Sequence, residues 1–144
     1  MTGESRSAMA SDTTASGKKY FTIGEANRAL PYVAGIVEDV TSCYQHAIQM
    51  RTKIDDPSHL QDRDKLNDEY ELAMGRLDSL NDELHLVGVE LKDFERGLLD
   101  FPALHDDREI YLCWHRGEEK IQAWHEVDVG YAGRQDVVLL HDHD

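Results

Sequence analysis

Two runs of apolar residues, spaced alternately by three and four positions, place the strongest constraint on how this chain can fold. Residues with this spacing line one side of an α-helix as a narrow stripe, and each stripe needs an apolar partner. The turn-forming segment DDPSHLQ separates the two runs. The sequence therefore predicts a long antiparallel helical hairpin, coiled-coil-like, over about residues 22–88. The stripes consist of Val33, Val37, Val40, Tyr44, Ala47 and, after a break at Arg51, Ile54, and then of Leu66, Tyr70, Ala73, Leu77, Leu80, Leu84 and Val87.

Local signals indicate where these helices begin and end. Thr22 and Glu25 have the spacing of a capping box, in which each side chain accepts a hydrogen bond from the other's backbone N–H. Pro31 lacks an N–H, so we expect a kink or a restart there. The segment 58–61 has the spacing of a second capping box, and Gly88 is placed to end the second helix in a left-handed conformation.

Several apolar residues of the hairpin lie off the two stripes. They are Ile36, Ile48, Met50, Met74 and Leu86. Either the C-terminal half or a second copy of the chain must cover them. Because hairpins of this length commonly pair into four-helix bundles, we expect a homodimer that forms through the helices.

Beyond Gly88 the pattern changes to short segments rich in β-branched and aromatic residues. VELKD, GLLDFPA, REIYLCW and KIQAWHE are separated by turn-forming stretches, which indicates a small antiparallel β-meander of about four strands over residues 89–127. The predicted fold class is therefore α+β, with a single domain over residues 20–135. The polar residues 1–19 are interpreted as a disordered N-terminal tail and residues 136–144 as a C-terminal tail.

The charge balance argues against two classes of partner. The chain of 144 residues has 29 acidic and 15 basic side chains, for a formal charge of −14. Such a polyanion is repelled by phosphate backbones and by anionic lipid, so we expect neither nucleic acid nor membrane partners. No apolar run reaches the length of a membrane span. The two cysteines, Cys43 and Cys113, form no disulfide framework, and we expect a cytoplasmic protein.

The segment YLCWHRGEEKIQAWHE concentrates residues that could carry chemistry. A two-residue turn at Arg116 and Gly117 would pair Leu112 with Ile121 and leave one apolar face for the helices. The other face would then form a small-ligand pocket, although a three-residue turn would reverse the pairing. The same side chains could also be ordinary cross-strand stabilisers. The pocket face would contain Glu109, Tyr111, Cys113, Trp124 and Glu126.

A zinc site is the alternative for the same hairpin. Cys113, Glu118 and His125 are ligand types that zinc accepts, but zinc needs three or four of them converging at roughly 2.0 to 2.3 Å. In the predicted register Cys113 and His115 share a face and His125 lies on the other. The histidines of the terminal HDHD, residues 141–144, are interpreted as a solvated tail.

The chain also resembles a known family. YFTIGEANRALPYV, the charged hairpin and the stretch from GVELKDFERGLLDFPALHDDREIYLCW to GYAGRQ are similar to the bacterial family of domain of unknown function 2203, over residues 20–135. The resemblance implies a bacterial, cytoplasmic protein but no particular activity. It implies that the pattern around Asp100, Tyr111, Cys113, His125 and Arg134 is the place to search. Asp100 and Arg134 therefore complete the set of candidate pocket residues.

These observations favour an interaction or scaffolding protein that homodimerises through its hairpin and has a pocket for an unknown small molecule on its β-half. The alternative is a small zinc-dependent hydrolase whose metal site lies on the C-terminal hairpin.

Overall fold

A computed structural model describes residues 18–137 and residue 140 of the chain. Two helices, α1 (Ile23–Ile54) and α2 (Arg63–Val87), are followed by five strands. The strands are β1 (Glu90–Asp93), β2 (Leu98–His105), β3 (Arg108–His115), β4 (Ala123–Glu126) and β5 (Gln135–Asp136). The α+β fold class is thus confirmed. Within the described residues, no helix is long and apolar enough to cross a membrane.

The capping box at the start of α1 is confirmed. The Thr22 hydroxyl accepts a hydrogen bond from the Glu25 N–H at 3.0 Å, and the Glu25 carboxylate accepts one from the Thr22 N–H at 2.9 Å. These bonds satisfy amides that the first turn leaves without intrahelical acceptors. The predicted restart at Pro31 is wrong, because α1 continues through it. Pro31 lies on the exposed side of the helix, where water can solvate the carbonyl that proline leaves unpaired.

The predicted capping box at Ser58 is also wrong. Residues Pro57–Asp62 form a 3-10 helix, and its N-cap is Asp56, whose carboxylate accepts from the Ser58 N–H at 3.0 Å. The reason is that Pro57 suits a first helical turn and Asp56 directly precedes it. Helix α2 starts only at Arg63, whose guanidinium donates to the Ile54 carbonyl at 3.0 Å. That bond ties the start of α2 to the end of α1.

The two helices pack against each other through the predicted stripes. Of the stripe residues, all are buried except Tyr44, Tyr70 and Val87, which are half-buried. Ile36 and Met50 are buried within the chain itself, whereas Ile48, Met74 and Leu86 remain exposed. Gly88 ends α2 with a φ of 102°, as predicted. We refer to α1 and α2 together as the helix pair.

The strands form one antiparallel sheet in the order β1-β2-β3-β4-β5. The sequence predicted four strands, and the fifth lies beyond the predicted meander, where Gln135 pairs with Trp124. The N-terminal segment also joins the sheet, since the Phe21 N–H donates to the Pro102 carbonyl at 2.7 Å. Of the two predicted tails, residues 1–17, 138, 139 and 141–144 lie outside the described residues. Lys18 contacts Glu109, and Leu140 is buried in the main core.

The predicted register of β3 and β4 is wrong. Tyr111 pairs with His125 and Leu112 with Trp124, so the strands are connected by residues 116–122 rather than by a two-residue turn. Side chains hold this wider loop: the Trp114 indole donates to the Glu118 carbonyl at 2.8 Å, and the Ile121 N–H donates to the Asn27 side chain at 2.8 Å. The shift is an odd number of residues, so Trp124 and His125 exchange faces relative to the prediction.

The two faces of the sheet have different environments. The inner face packs on the helix pair and is apolar: Leu99, Phe101, Ala103, Ile110, Leu112, Trp114 and Trp124 belong to one core cluster with residues of both helices. The outer face points away from the helices and is also buried at its centre. Its buried residues are Leu98, Asp100, Pro102, Tyr111, Cys113, Ala123 and His125.

Candidate functional site

Three side chains with chemical potential meet on the outer face. Asp100 of β2 and Cys113 of β3 are paired across neighbouring strands, and His125 of β4 follows on the next strand. Their side chains share a face because directly opposed residues do, and because successive residues in a strand alternate. All three are buried, with exposed fractions of 3% for Asp100, 1% for Cys113 and 2% for His125. One ligand-type atom from each lies within 4.8 Å of the other two. We refer to these residues as the polar cluster.

Hydrogen bonds orient the imidazole of His125. Its Nδ1 lies 2.8 Å from the carbonyl oxygen of Glu126, and its Nε2 lies 3.0 Å from Oδ1 of Asp100. A carbonyl oxygen only accepts, so Nδ1 carries a proton and donates it to Glu126. The contact between Nε2 and Asp100 then shares one proton. It is either an imidazolium that donates to a carboxylate or a carboxylic acid that donates to a neutral imidazole.

Burial shapes the electrostatics of the polar cluster. Loss of solvation raises the pKa of the Asp100 carboxyl, and the neighbouring charge of His125 opposes that rise. Burial also raises the pKa of the Cys113 thiol to about 12, and the negative charge of Asp100 adds to this effect. Cys113 is therefore a protonated thiol at neutral pH rather than a nucleophilic thiolate.

A cavity of about 230 Å³ opens beside the polar cluster. Apolar side chains, two tyrosine rings and one lysine complete its wall. It is lined by Lys92, Leu98, Asp100, Tyr111, Cys113, His125, Val127, Gly130 and Tyr131. Burial, followed by the nearby charge of Glu90, raises the pKa of Tyr111. Its hydroxyl donates to Glu90 at 3.2 Å.

The loop between β4 and β5 forms one side of this cavity. Gly130 has φ 68° and ψ −165°, a conformation that glycine adopts far more readily than other residues, and it places Tyr131 at the wall. Arg134 fixes the loop: its guanidinium donates to both oxygens of Glu118 at 3.0 Å and lies 4.8 Å from the centre of the Tyr131 ring. The Arg134–Glu118 ion pair therefore positions the residues that cover the polar cluster.

The structure brings some of the predicted pocket residues together and separates others. Asp100, Tyr111 and Cys113 line the cavity, and Arg134 lies next to it, 3.4 Å from the Cys113 carbonyl. Glu109 shares the outer face but pairs with Lys18.

Trp124 and Glu126 belong to the opposite face, because the register differs from the prediction. Trp124 lies in the core and Glu126 pairs with Arg108. Of the predicted metal set, Cys113 and His125 come together, whereas Glu118 is held by Arg134 and Asp100 takes its place in the polar cluster.

Five residues of the cavity wall were not among the predicted pocket or metal residues. They are Lys92, Leu98, Val127, Gly130 and Tyr131. For Tyr131 the available signal was Gly130, which directly precedes it and permits a backbone that folds back over the sheet. The others are ordinary strand and loop residues whose role depends on the strand register.

The fold and the polar cluster define the class of this protein: an α+β protein in which a carboxyl, a thiol and an imidazole are buried together on the outer face of an antiparallel sheet. The chain belongs to the family described as Uncharacterized conserved protein (DUF2203), which matches residues 19–137. Neither the curated proteins nor the solved structures contain a match to the chain.

Proposed function

We propose that this protein binds a small molecule in the cavity on the outer face of its sheet. The observation that carries the proposal is the buried floor of that cavity, where Asp100 and His125 are almost fully enclosed on a surface that could have been apolar. Burying such groups costs free energy that an apolar core would avoid. Buried polar groups beside a cavity are a feature of ligand sites.

The cavity wall indicates the kind of molecule that would fit. Leu98 and Val127 offer apolar contacts, Tyr111 and Tyr131 offer ring faces, and the polar cluster offers hydrogen bonds. The volume of about 230 Å³ is below the roughly 300–1,000 Å³ of sites for drug-sized ligands. The ligand should therefore be small, with an apolar or aromatic part and one polar group directed at Asp100 and His125.

The state of the Cys113 thiol favours a binding role over covalent catalysis. The raised pKa of Cys113 keeps its thiol protonated at neutral pH. The proton between Asp100 and His125 is already shared within the pair, so neither group is a free base. The geometry therefore favours a ligand that binds non-covalently in the cavity.

Fragment binding observed by NMR tests this proposal. Methyl-labelled protein is screened with a library of small aromatic fragments, and the methyl groups of Leu98 and Val127 report on the cavity. We expect a subset of fragments to shift both signals. Val127→Trp, at a half-exposed position of the wall, should abolish the shift of the Leu98 signal, and Leu104→Trp, at a similarly exposed strand position away from the cavity, should leave the shifts of both signals. The proposal fails if no fragment shifts Leu98 and Val127 in the wild type, or if the Leu98 signal of both tryptophan variants responds as it does in the wild type.

We also propose that the helix pair is an antiparallel coiled-coil hairpin through which the protein homodimerises. Large apolar side chains exposed along it support this proposal, in particular Leu72 and Leu86, with exposed fractions of 75% and 87%. They lie two heptads apart on α2 and so share one side of the helix. Equilibrium sedimentation at micromolar concentration should give a dimer.

The double variant Leu72→Lys with Leu86→Lys should sediment as a monomer, because it places two charges on the proposed contact. Leu104→Lys on the sheet is the matched control and should remain dimeric. A monomeric wild-type protein would overturn the dimer and leave the cavity proposal intact.

A further inference from the structure

The polar cluster has the composition and shape of a metal site, and we propose that it binds a transition-metal ion, with zinc as the expected occupant, through Asp100, Cys113 and His125. This inference deepens the proposed function, because the ion would occupy the floor of the same cavity. It differs from the zinc site that the sequence suggested, since Asp100 replaces Glu118 as the oxygen ligand.

Distances within the cluster are close to those that a metal requires. A tetrahedral zinc ion lies roughly 2.0 to 2.3 Å from its ligands and so holds them about 3.5 Å apart. The three donor atoms lie within 4.8 Å of one another, and the nitrogen and oxygen are 3.0 Å apart. Small side-chain rotations would bring all three donors to an ion, with no change in the strand register that fixes their backbones. Binding would release to solvent the thiol proton of Cys113 and the proton between Asp100 and His125, because the ion takes a thiolate, a carboxylate and the free lone pair of Nε2.

The donor types select among metals. A thiol together with an imidazole is unsuited to magnesium or calcium, which take oxygen ligands. One sulfur, one nitrogen and one oxygen suit zinc, and cobalt(II) accepts the same tetrahedral arrangement. Asp100, Cys113 and His125 would leave one coordination position for water or for a ligand from the cavity, as in zinc sites that carry out chemistry.

The orientation of His125 is a second, independent indication. Metal-binding histidines usually donate the other ring N–H to a carbonyl or carboxylate, which fixes the ring. The Nδ1–H of His125 does this to the Glu126 carbonyl at 2.8 Å and so directs Nε2 into the cluster. The wall beyond the cluster is completed by Tyr131, which the Arg134–Glu118 ion pair holds in place. Both arrangements preorganise the site before an ion arrives.

Cobalt(II) spectroscopy provides the direct test. Tag-free protein is stripped with a chelator and titrated with cobalt(II). We expect saturation at one ion per chain, the intense visible bands of a tetrahedral site and a thiolate-to-cobalt charge-transfer band in the near ultraviolet. Zinc should displace the cobalt and abolish these bands. A titration without the charge-transfer band, or one without saturable binding, would overturn the proposal.

Variants assign the ligands. Cys113→Ser should remove the charge-transfer band, whereas Cys43→Ser, on α1, should keep it. Asp100→Asn and His125→Gln should each weaken zinc binding at least about a hundredfold, because even outer-shell changes typically cost ten- to a hundredfold. Glu118→Gln should change it far less, and an equal loss in Glu118→Gln would restore the ligand set suggested by the sequence and overturn this one. If a variant fails to fold, the cobalt spectra of the wild type and of Cys43→Ser still decide whether the buried thiol is a ligand.

The fragment screen and the cobalt titration separate the two proposals. Fragments that shift Leu98 and Val127 in a protein without saturable metal binding would retain the cavity and overturn the metal. Metal binding without any fragment response, in metal-free or zinc-loaded protein, would retain the metal and overturn the small-molecule proposal.

Discussion

The inner and outer faces of the sheet are buried to a similar extent but differ in chemistry. Phe101 and Leu112 on the inner face are 0% and 1% exposed, and Asp100 and His125 on the outer face are 3% and 2% exposed. The inner face gains free energy by removing apolar surface from water. The outer face also buries a carboxyl and an imidazole, which need specific hydrogen-bond partners there. The inner face therefore stabilises the fold, whereas the composition of the outer face is better explained by a functional role.

The segments that pack on the two faces of the sheet differ as well. Two long helices cover the inner face, whereas side chains of residues 18 and 92 and the short loop between β4 and β5 lie over the outer one. A short loop held by the Arg134–Glu118 ion pair, a few hydrogen bonds and ring contacts can open at much lower cost than two packed helices. The outer face is therefore the one that a ligand can reach without unfolding the protein.

Truncation of the inner face should have the largest effect on stability. Phe101 is fully buried and its ring packs edge-on against Phe21 at 5.2 Å. We expect Phe101→Ala to lower the free energy of unfolding by about 3 to 5 kcal/mol, through lost burial and the cavity it leaves. Chemical denaturation followed by circular dichroism measures this. If Phe101→Ala lowered the free energy of unfolding no more than a substitution on the outer face, the proposed difference between the two faces would be contradicted.

The helix side of the same core should respond almost as strongly. Leu77 is 4% exposed and belongs to the core cluster that includes the inner face. Leu77→Ala should cost about 2 to 5 kcal/mol. Leu104→Ala on β2 is the control, because Leu104 is exposed and lies outside the proposed dimer contact, and surface changes usually stay within about 0.5 kcal/mol. Equal melting temperatures for the two variants would contradict the packing of the helix pair.

On the outer face, Asp100 should make the free energy of unfolding depend on pH, and its substitution should not cause a large loss of stability. The pKa of Asp100 is raised by burial, so the folded state holds its proton more tightly than the unfolded state does. Its stabilising contribution is therefore present below the unfolded pKa of about 3.9 and is lost as the pH rises through the raised folded value.

Asp100→Asn, which can still donate to His125, removes this dependence. In the presence of a chelator, the free energy of unfolding of the wild type minus that of Asp100→Asn should fall as the pH rises from about 4. The fall should amount to about 1.4 kcal/mol for each unit by which the pKa is raised. A flat difference, or one that grows with pH, would show that burial does not control Asp100.

A pair of glycine variants should give the smallest effects, and of opposite sign. Gly97, in the turn between β1 and β2, has a φ of 75°, and an added Cβ would lie 2.8 Å from the Cβ of Arg116. Gly97→Ala should cost about 1 to 2 kcal/mol. Gly35 lies in α1 with nothing within 4 Å of an added Cβ, so Gly35→Ala should stabilise by about 0.5 to 1 kcal/mol. Thermal melts compare the two, and a stabilised Gly97→Ala would contradict the close turn.

Most features that depend on short-range patterns were predicted correctly from the sequence, although the restart at Pro31 and the capping box at Ser58 were not. The stripes of α1 and α2 follow from a spacing visible within single helices, and nearly all their residues are buried as expected. The capping box at Thr22 and the left-handed Gly88 involve neighbours along the chain. The existence of β2 and β3 follows from their β-branched and aromatic content, which is again local.

The candidate site depended on interactions that no short pattern contains. The β3–β4 loop is held partly by Asn27, a residue of α1 that is 94 positions away from Ile121. Without that contact the tight turn at Arg116 and Gly117 was a reasonable prediction, and it reversed the faces of Trp124 and His125. Asp100 was named as a pocket residue, but its pairing with His125 could be recognised only once the register was known.

The order of strands in the sheet also bears on how the chain folds. Consecutive strands pair with each other throughout the described sheet, and the two helices that pack together are also consecutive. Contacts between consecutive elements close short loops, which favours rapid formation of the helix pair and of the strand hairpins. As the chain leaves the ribosome, the helices and the first strand hairpin can form before β4 and β5 emerge. Asp100 and Cys113 would then lie on paired strands before His125 arrives on β4, so we expect the polar cluster to be among the last features of the fold to form.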